Sequence, residues 1–297
     1  MSTTARRYWL KLLRRIGVKH FRAQSGIGVP YICHLGDFSG EVPFYNRDHS
    51  AAEVLLMAQW CREIEKPVVF DVGANNGFIA TQLAQLLREN SPRIFAFEPV
   101  PSTFASLNKS VEALRLQHLV FPICCAISDK AGASAIAYNP RESLFAQVGN
   151  DTSNTRVGSN LAYCATLRLD DVVSYLGATP ALLKIDVEGS ELQVLRGAGS
   201  LLDSPDAPAM CLEWNPLTMK ERGNSLTELV ELLGSKTCYY IDDFEGQRMP
   251  FGEKIENLTK VDWVCNIFAI SVTQSSNSKW VTALAKLGET SLFARPI

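Results

Sequence analysis

The stretch LLKIDVEGSELQVLRGA, residues 182–198, joins an apolar strand pattern to a row of charges. Lys184, Asp186 and Glu188 occupy alternate positions as the apolar pattern ends. Because side chains two apart on a strand share a face, these three would stand in a row at the strand's carboxyl end. Burying such charges without partners would cost on the order of several kcal/mol. The stretch therefore predicts a strand whose tip holds charges that are paired or that bind a ligand.

Strand and helix patterns alternate on both sides of this stretch. The predicted strands are residues 67–73, 93–99, 121–128, 181–187, 209–214, 238–242 and 263–270, and the predicted helices are residues 78–90, 102–116, 170–176, 190–198 and 225–233. Such alternation indicates a parallel sheet with helices on both faces, and the short connection before the last strand indicates an antiparallel pair. We predict an α/β fold with a doubly wound, mostly parallel sheet. Residues 130–166, rich in Asn, Ser, Gly and Thr, are predicted to be an insertion with a short hairpin and a mobile loop.

The composition of the chain limits the classes of function. A net charge of −2 over 297 residues gives no global reason to expect a nucleic-acid partner, and we expect none. The eight cysteines form no C-x-x-C pair and several lie in apolar runs, which favours buried free thiols and a cytoplasmic location. No apolar run is long enough to span a bilayer.

The amino-terminal segment has a charge pattern of its own. Residues 1–22 contain seven Lys or Arg residues and no acid, and residues 5–20 place apolar side chains at helical spacing. One interpretation is a helix that lies on a membrane surface as a peripheral contact. The alternative is a helix that packs on its own domain and exposes a solvated basic face. The oligomeric state is not predicted.

The first predicted strand leads into a glycine-bracketed turn in the sequence VVFDVGANNGF, residues 68–78. Gly73 and Gly77 allow backbone N–H groups and the next helix to approach a ligand. The spacing is G-x-x-x-G, which does not fit the dinucleotide pattern G-x-G-x-x-G. Asp71, two residues before the first glycine, would repel a pyrophosphate but would suit a cationic group. S-adenosylmethionine, with its ammonium and sulfonium beside a ribose, fits this pattern; the alternative is a tight turn with no ligand.

The next two strand ends extend the candidate cofactor site. Glu98 ends the second strand, where an acid can accept hydrogen bonds from ribose hydroxyls, or can simply cap a helix. Pro99, with the neighbouring Val100 and Phe104, would form an apolar wall for an adenine. Ser128 and Asp129 follow the third strand, where an adenine amino group would be read, although a Ser-Asp turn is also ordinary turn chemistry.

Acids at two further strand ends predict a place for a second substrate. Asp186 and Glu188 lie at the carboxyl end of one strand, and Glu213 lies near the end of the next. Open α/β sheets bind ligands at this edge, and Lys184 would compensate or orient the carboxylates. A purely structural ion-pair network is the alternative. The acids could also bind Mg²⁺ through oxygen ligands, although we assign no metal site from acid clustering alone.

The quoted motifs together resemble one family. FDVGANNGF, FAFEPVPSTFASL, TLRLDDV and LLKIDVEGSELQVLRGA, with CLEW in the following strand, are similar to the FkbM family of S-adenosylmethionine-dependent methyltransferases over roughly residues 67–215. The resemblance implies a class I methyltransferase fold, with a seven-stranded sheet and one antiparallel strand. It divides the chain into a basic helix and cap (1–66), a catalytic domain (67–272) and a linker with a helix (273–297).

The resemblance also implies a reaction and roles for particular residues. It implies O-methylation of a carbohydrate, glycolipid or polyketide-like hydroxyl. By position, the cofactor would be held by Asp71, Gly73, Asn75, Gly77 and Glu98, and the acceptor would face Asp186, Glu188 and Glu213. We expect Asp186 to be the general base, with His34 or His49 as the alternative. A Rossmann-type oxidoreductase and a non-catalytic binding protein are the competing functions.

Overall fold

The fold contains ten α-helices, one short 3₁₀-helix (Arg88–Asn90) and fourteen strands in the part of the chain that a computed structural model describes, namely residues 2–47, 49–139, 142–148, 160–234, 236–241, 248–250 and 264–271. The helices are α1 (Thr3–Arg15), α2 (Phe38–Tyr45), α3 (Ala51–Arg62), α4 (Phe78–Leu86), α5 (Pro101–Ala113), α6 (Leu169–Leu176), α7 (Glu191–Arg196), α8 (Gly199–Leu202), α9 (Pro216–Glu221) and α10 (Leu226–Leu233). The strands are β1 (His20–Gln24), β2 (Pro30–His34), β3 (Val68–Val72), β4 (Arg93–Phe97), β5 (Val120–Ile123), β6 (Ala126–Ile127), β7 (Gly132–Asn139), β8 (Glu142–Val148), β9 (Asn160–Leu167), β10 (Leu182–Ile185), β11 (Ala209–Trp214), β12 (Thr237–Ile241), β13 (Arg248–Pro250) and β14 (Cys265–Ile270).

The main sheet has the strand order β13-β12-β14-β11-β10-β3-β4-β5. The five strands from β11 to β5 pair in parallel, and β14 runs antiparallel to both β11 and β12. Two buried apolar clusters cover the two faces of the sheet, as parallel strands require. The predicted α/β, doubly wound and mostly parallel fold is therefore confirmed. Its sheet has eight strands instead of seven, because the three-residue β13 adds a second antiparallel strand at the edge.

The chain leaves the main sheet earlier than the sequence pattern indicates. The sequence pattern predicts one strand over residues 121–128, but β5 ends at Ile123. There the chain turns, and the Cys125 N–H donates a hydrogen bond to the Ile123 carbonyl oxygen at 3.1 Å. The following β6 pairs with β9 in a separate sheet of order β6-β9-β7-β8. The insertion thus contains the expected hairpin, β7–β8, within a four-stranded sheet. Residues 149–159, which include much of the predicted loop, lie outside the described residues.

The amino-terminal segment packs on the main sheet. Buried residues of α3, such as Val54 and Met57, share an apolar cluster with Val69 of β3. The predicted basic helix is present as α1, which buries Leu10. The domain boundaries at 66 and 272 stay predictions, and the expected terminal helix within 273–297 lies outside the described residues.

Two sequence-based expectations concern thiols and membrane spans. All eight cysteines are free, and seven of them are buried, while Cys124 is exposed. None of the helices in the described residues combines the length and apolar content needed to cross a bilayer.

Candidate active site

The strand ends that the sequence marks with acids are neighbours in the sheet. In the parallel pairing of β10 with β3, Lys184 lies opposite Asp71, and the Asp186 N–H donates to the Val72 carbonyl at 2.9 Å. The turn after β3 presses against this point, because a Cβ added to Gly73 would lie 1.8 Å from the Asp186 carbonyl oxygen. The close approach therefore requires a glycine, and it sets the predicted cofactor turn directly beside the predicted acceptor acids.

Lys184 is a buried cation held between two carboxylates. Its Nζ lies 2.9 Å from Glu53 Oε1 and 3.2 Å from Asp186 Oδ2, while the residue is only 1% exposed. Burial alone would lower the pKa of Lys184, but attraction to Asp186 and Glu53 outweighs it and holds the pKa well above its ordinary value. The predicted compensation of the acids by Lys184 is thus present in the geometry, with Glu53 of α3 as an additional partner.

Three carboxylates converge beside this ion pair. Asp186, Glu188 and Glu213 each have one carboxylate oxygen that lies within 4.8 Å of the corresponding oxygens of the other two. Burial, reinforced by repulsion from Asp186, raises the pKa of Glu188 to about 8 and that of Glu213 well above its ordinary value. Glu213 Oε2 is buried and has no hydrogen-bond partner among the described residues. At neutral pH the cluster therefore favours protonated Glu188 and Glu213, which can donate hydrogen bonds to an acceptor oxygen.

The turn after β10 has an internal support that fixes these acids. Glu191 is 1% exposed, and its Oε1 accepts hydrogen bonds from the N–H groups of Val187, at 3.2 Å, and Gly189, at 3.1 Å. Glu188 adopts a positive φ of 54°, an uncommon conformation for a side chain other than glycine. The Glu191 carboxylate therefore stabilises a strained turn that turns Glu188 toward Asp186.

Glu98 organises the candidate cofactor turn. Its Oε2 accepts a hydrogen bond from the Asn75 N–H at 2.9 Å, and its Oε1 accepts one from the Val100 N–H at 2.8 Å. Burial raises the pKa of Glu98 to about 7, although both N–H groups act in the opposite direction. Each carboxylate oxygen keeps a further lone pair, so Glu98 can still accept ribose hydroxyls.

Asp71 contributes a buried carboxylate oxygen to the candidate cofactor site. The residue is 2% exposed, and its Oδ2 has no hydrogen-bond partner among the described residues. Burial raises the pKa of Asp71 to about 7, partly offset by the charge of Lys184. A buried polar atom without a partner indicates a missing donor, such as a bound ligand or water. The turn from Gly73 to Gly77 and this orphaned oxygen fit a nucleoside cofactor that carries donors and a positive charge.

The adenine-reading role predicted for Ser128 and Asp129 rests on a premise that the structure corrects. Both residues follow β6 in the smaller sheet, not the tip of β5, and the Ser128 hydroxyl donates to Asp129 Oδ1 at 3.1 Å. The residue that directly follows β5 is Cys124, whose pKa is raised by burial and by the negative charge of Glu98. Pro99 lies between Glu98 and Val100 as expected, and its contact with an adenine stays a prediction.

The two alternative histidine bases occupy different surroundings. His34 is buried, and its Nε2 lies 2.8 Å from the Ser110 hydroxyl oxygen. His49 lies within the electrostatic influence of Asp186 and Lys184, and burial lowers its pKa to about 4. His49 is thus the one of the two that interacts electrostatically with Asp186 and Lys184, while its lowered pKa makes it a weaker base than an ordinary imidazole.

Sequence reasoning missed three residues that support the site: Glu53, Glu191 and Ser39. Ser39 of α2 donates to Asn75 Oδ1 at 3.0 Å and so ties the amino-terminal segment to the cofactor turn. The sequence near Glu191 could have indicated its role, since this acid lies two residues after Gly189, where a glycine marks a turn. Glu53 and Ser39 had none, because they come from helices far earlier in the chain.

The fold and the site together define a class of protein. A doubly wound sheet with an antiparallel strand β14 beside β11, and with acids around a glycine turn at neighbouring strand tips, is the architecture of class I methyltransferases. The chain belongs to the FkbM methyltransferase family, because residues 71–241 match the family described as methyltransferase FkbM domain.

The chain is similar to two named relatives and to one solved structure. Over 156 residues the chain is 33% identical to 31-O-demethyl-FK506 methyltransferase FkbM from Streptomyces tacrolimicus, in a match that covers 44% of this chain and 58% of that protein. Over 145 residues it is 30% identical to hexuronic acid methyltransferase AglP from Haloferax volcanii, covering 47% and 53% of the two chains. The chain thus spans little more than half the length of these curated relatives. The solved structure of methyltransferase FkbM from Methylobacillus flagellatus KT aligns with a TM-score of 0.41 at 12% identity, over 88% of this chain and 70% of that one.

Proposed function

We propose that this protein is an S-adenosylmethionine-dependent O-methyltransferase that methylates a hydroxyl of a carbohydrate, glycolipid or polyketide-like acceptor. The observation that carries the proposal is the pairing of two half-sites at one sheet edge. The orphaned Asp71 oxygen and the Glu98 carboxylate flank a glycine turn, and this turn touches Asp186 of the acid cluster. Membership of the FkbM family supports the same reaction.

S-adenosylmethionine, when bound, supplies a methyl group that is already activated by its sulfonium. The chain's own residues then have two tasks, namely to hold the acceptor hydroxyl and to take its proton. Positioning of reacting groups contributes about 7–11 kcal/mol in ideal cases. Asp186, with Lys184 as its counter-ion at 3.2 Å, is the proposed proton acceptor. Glu188 and Glu213, which favour their protonated forms, are proposed to donate hydrogen bonds to neighbouring oxygens of the acceptor.

The proposed acceptor class follows from the density of hydrogen-bonding groups. Three carboxyl groups within 4.8 Å suit a molecule with adjacent oxygens, as in a sugar or a polyol, better than an apolar phenol ring. Two relatives carry names that agree with oxygen-rich acceptors, a hexuronic acid and a demethylated FK506.

A thermal melt separates the cofactor classes. A ligand at 100 times its Kd stabilises a folded protein by about 2.7 kcal/mol, which is expected to raise the Tm by about 4 °C here. We expect S-adenosylhomocysteine to produce this shift and NAD to produce none. The reverse result would favour the Rossmann-type oxidoreductase. Incubation with labelled S-adenosylmethionine and acceptor fractions then tests turnover, and cofactor binding without product from any hydroxyl acceptor would favour the non-catalytic binding protein.

A divalent cation at the acid cluster is the second arrangement that the geometry permits. Carboxylate oxygens are the ligands that Mg²⁺ prefers, and such an ion would acidify an acceptor diol. Loss of turnover in EDTA, with recovery on addition of Mg²⁺, would favour the metal. Turnover unchanged by EDTA would leave the three carboxyl groups to the acceptor alone.

A further inference from the structure

Helix α1 has an apolar stripe that the described residues leave uncovered. Leu10 packs inward and Leu13 is half-buried, whereas four large apolar side chains on another part of the helix are exposed. These side chains and their exposed fractions are Tyr8 at 70%, Trp9 at 43%, Leu12 at 40% and Ile16 at 68%. Tyr8, Leu12 and Ile16 follow one another at intervals of four residues with Trp9 beside them, so they form one continuous stripe along the helix.

Basic side chains line the stripe on one side. With 3.6 residues per turn, Arg7, Lys11 and Arg15 fall next to the stripe, and all three are exposed. Residues 1–22 contain no acidic residue that would neutralise them. The surface therefore combines exposed aromatic and aliphatic groups with a net positive charge, which is the chemistry that anionic lipid headgroups and the acyl boundary beneath them attract.

The opposite side of α1 is fixed to the protein. The Arg6 guanidinium donates to the Phe44 carbonyl at 2.9 Å, and Arg14 forms an ion pair with Glu41 at 3.5 Å. Arg7, at the edge of the basic row nearest this side, remains exposed while its guanidinium lies over the ring of Tyr45, 4.5 Å from the ring centroid. All three contacts are made with residues of α2. They fix the position of α1, and therefore of the stripe, relative to the rest of the protein.

We propose that the face of α1 formed by Tyr8, Trp9, Leu12 and Ile16 with Arg7, Lys11 and Arg15 docks on an anionic lipid bilayer. A helix of 13 residues is about 20 Å long, which is too short to cross a bilayer but sufficient to lie in its interface. Tyr and Trp prefer this interfacial zone, and Lys and Arg reach from it to the headgroups. The two groups lie side by side, as in interfacial helices.

The docking surface is connected to the candidate cofactor turn through α2. That helix receives the contacts of α1, and its Ser39 hydroxyl donates to Asn75 Oδ1 at 3.0 Å. Docking would thus hold the candidate site at a lipid surface, where an acceptor attached to a lipid is concentrated. The docking itself does not depend on the proposed methyl transfer, because vesicle binding is measured without cofactor or acceptor.

The test is co-sedimentation of the full chain with two kinds of vesicles, phosphatidylcholine alone and phosphatidylcholine with about 30% phosphatidylglycerol. We expect the protein to pellet with the anionic vesicles at low salt and to be released in part at high salt, since headgroup attraction is screened. The triple variant Trp9→Ser/Leu12→Ser/Ile16→Ser should weaken binding at least about tenfold. The variant Lys11→Gln/Arg15→Gln should weaken it about fivefold for each charge removed.

Two control variants test whether the apolar stripe itself is responsible for vesicle binding. Tyr175→Ser removes another exposed aromatic, 95% exposed on α6, and should leave binding unchanged. We expect anionic vesicles to shift the tryptophan fluorescence of the parent protein to the blue. Trp9→Phe should keep binding and remove this blue shift. Binding that is equal for the triple variant and the parent, or absent for both vesicles, overturns the proposal. A parent that is dimeric in solution and a triple variant that is monomeric would also overturn it, because the stripe would then be an interface between two copies of this chain.

Discussion

Asp186 differs from the other acids of the cluster in its counter-charge. Its Oδ2 lies 3.2 Å from the buried ammonium of Lys184, and its side chain is 38% exposed, so an acceptor can reach it. Glu188 and Glu213 favour protonation, because burial and the nearby charge of Asp186 raise their pKa values. Of the three carboxyl groups, Asp186 is therefore the one whose counter-ion and exposure suit it to act as the proton acceptor.

The substitution Asp186→Asn removes this proton acceptor with little change of shape. We expect turnover to fall by about 10²–10⁴-fold, the range that general-base catalysis contributes, while S-adenosylhomocysteine still raises the Tm. The matched variant is His49→Gln, which should retain most of the activity. If Asp186→Asn remained active and His49→Gln did not, the base would be His49.

The buried ion pair between Lys184 and Glu53 carries a second prediction, on stability. The two side chains are 2% and 3% exposed and lie 2.9 Å apart. Lys184→Met leaves two carboxylates without their cation, so the free energy of unfolding should fall by about 3–5 kcal/mol. Adding Glu53→Gln removes one of those uncompensated charges and should restore part of the loss. Urea denaturation of the two single variants and the double variant measures the coupling, and strictly additive effects would mean that the pair contributes nothing.

Among the individual site residues, the sequence predicts only those that lie at the carboxyl ends of neighbouring strands of the sheet. Asp71, Asp186 and Glu213 are found from the sequence because the carboxyl ends of neighbouring parallel strands meet. Glu53 completes the ion pair from a helix that no sequence pattern connects to β10. Its position depends on how the amino-terminal segment packs, which is decided by the tertiary structure.

At the scale of elements, the close contact of the turn after β3 with the end of β10 holds the two half-sites together. Gly73 has a φ of +84°, and a Cβ there would lie 1.8 Å from the Asp186 carbonyl oxygen. Gly17 has the same φ of +84° but nothing within 4 Å, which makes it a matched control. We expect Gly17→Ala to cost about 1–2 kcal/mol from backbone strain alone.

Gly73→Ala should cost clearly more than Gly17→Ala, because the strand ends must move apart in addition. Urea denaturation gives the free energy of unfolding of both variants, and the shift in Tm with S-adenosylhomocysteine reports whether the turn still forms. Equal losses for the two substitutions would show that the strand ends separate without cost, and the turn would then not position Asp186.

The strand boundary that the sequence analysis placed wrongly, at the end of β5, has a physical cause. The strands β3, β4, β10 and β11 lie within their predicted ranges, because each is a buried apolar run that ends in a polar turn. The break between β5 and β6 was missed because residues 121–128 are almost continuously apolar. What divides them is the pairing of β6 with β9, a partner some forty positions further along the chain, and local patterns carry no information on such pairing.

At the scale of the whole molecule, the fold collects buried and half-buried carboxyl groups at one edge of its sheet. Burial raises the pKa of Asp71 and of Glu98 to about 7, from ordinary values of 3.8 and 4.5, and that of Glu188 to about 8. The folded protein therefore binds more protons than the unfolded chain between about pH 4.5 and 8. The stabilising contribution of these groups is fully present below about pH 4 and is lost as the pH rises through 7 to 8.

Two histidines, the buried His34 and the half-buried His49, act in the opposite direction over a lower range. Burial lowers the pKa of His34 and His49 to about 4, so the unfolded chain binds their protons more tightly between about pH 4 and 6.5. In that window the histidines offset part of the effect of the acids. Above about pH 7.5 the histidines are neutral in both the folded and the unfolded state, and the acids act alone.

We therefore expect the free energy of unfolding to decrease most steeply between about pH 6.5 and 8, by about 1.4 kcal/mol per pH unit for each net proton that the folded state holds. Urea denaturation across this range measures the slope. Glu98→Gln should flatten it, since Gln does not titrate, whereas His49→Gln should leave it unchanged above about pH 7.5 and alter only the lower range. A stability that stayed constant or rose from pH 6.5 to 8 would mean that the acids at the strand ends remain ionised in the folded protein, and the hydrogen-bond donors proposed for the acceptor would then be absent.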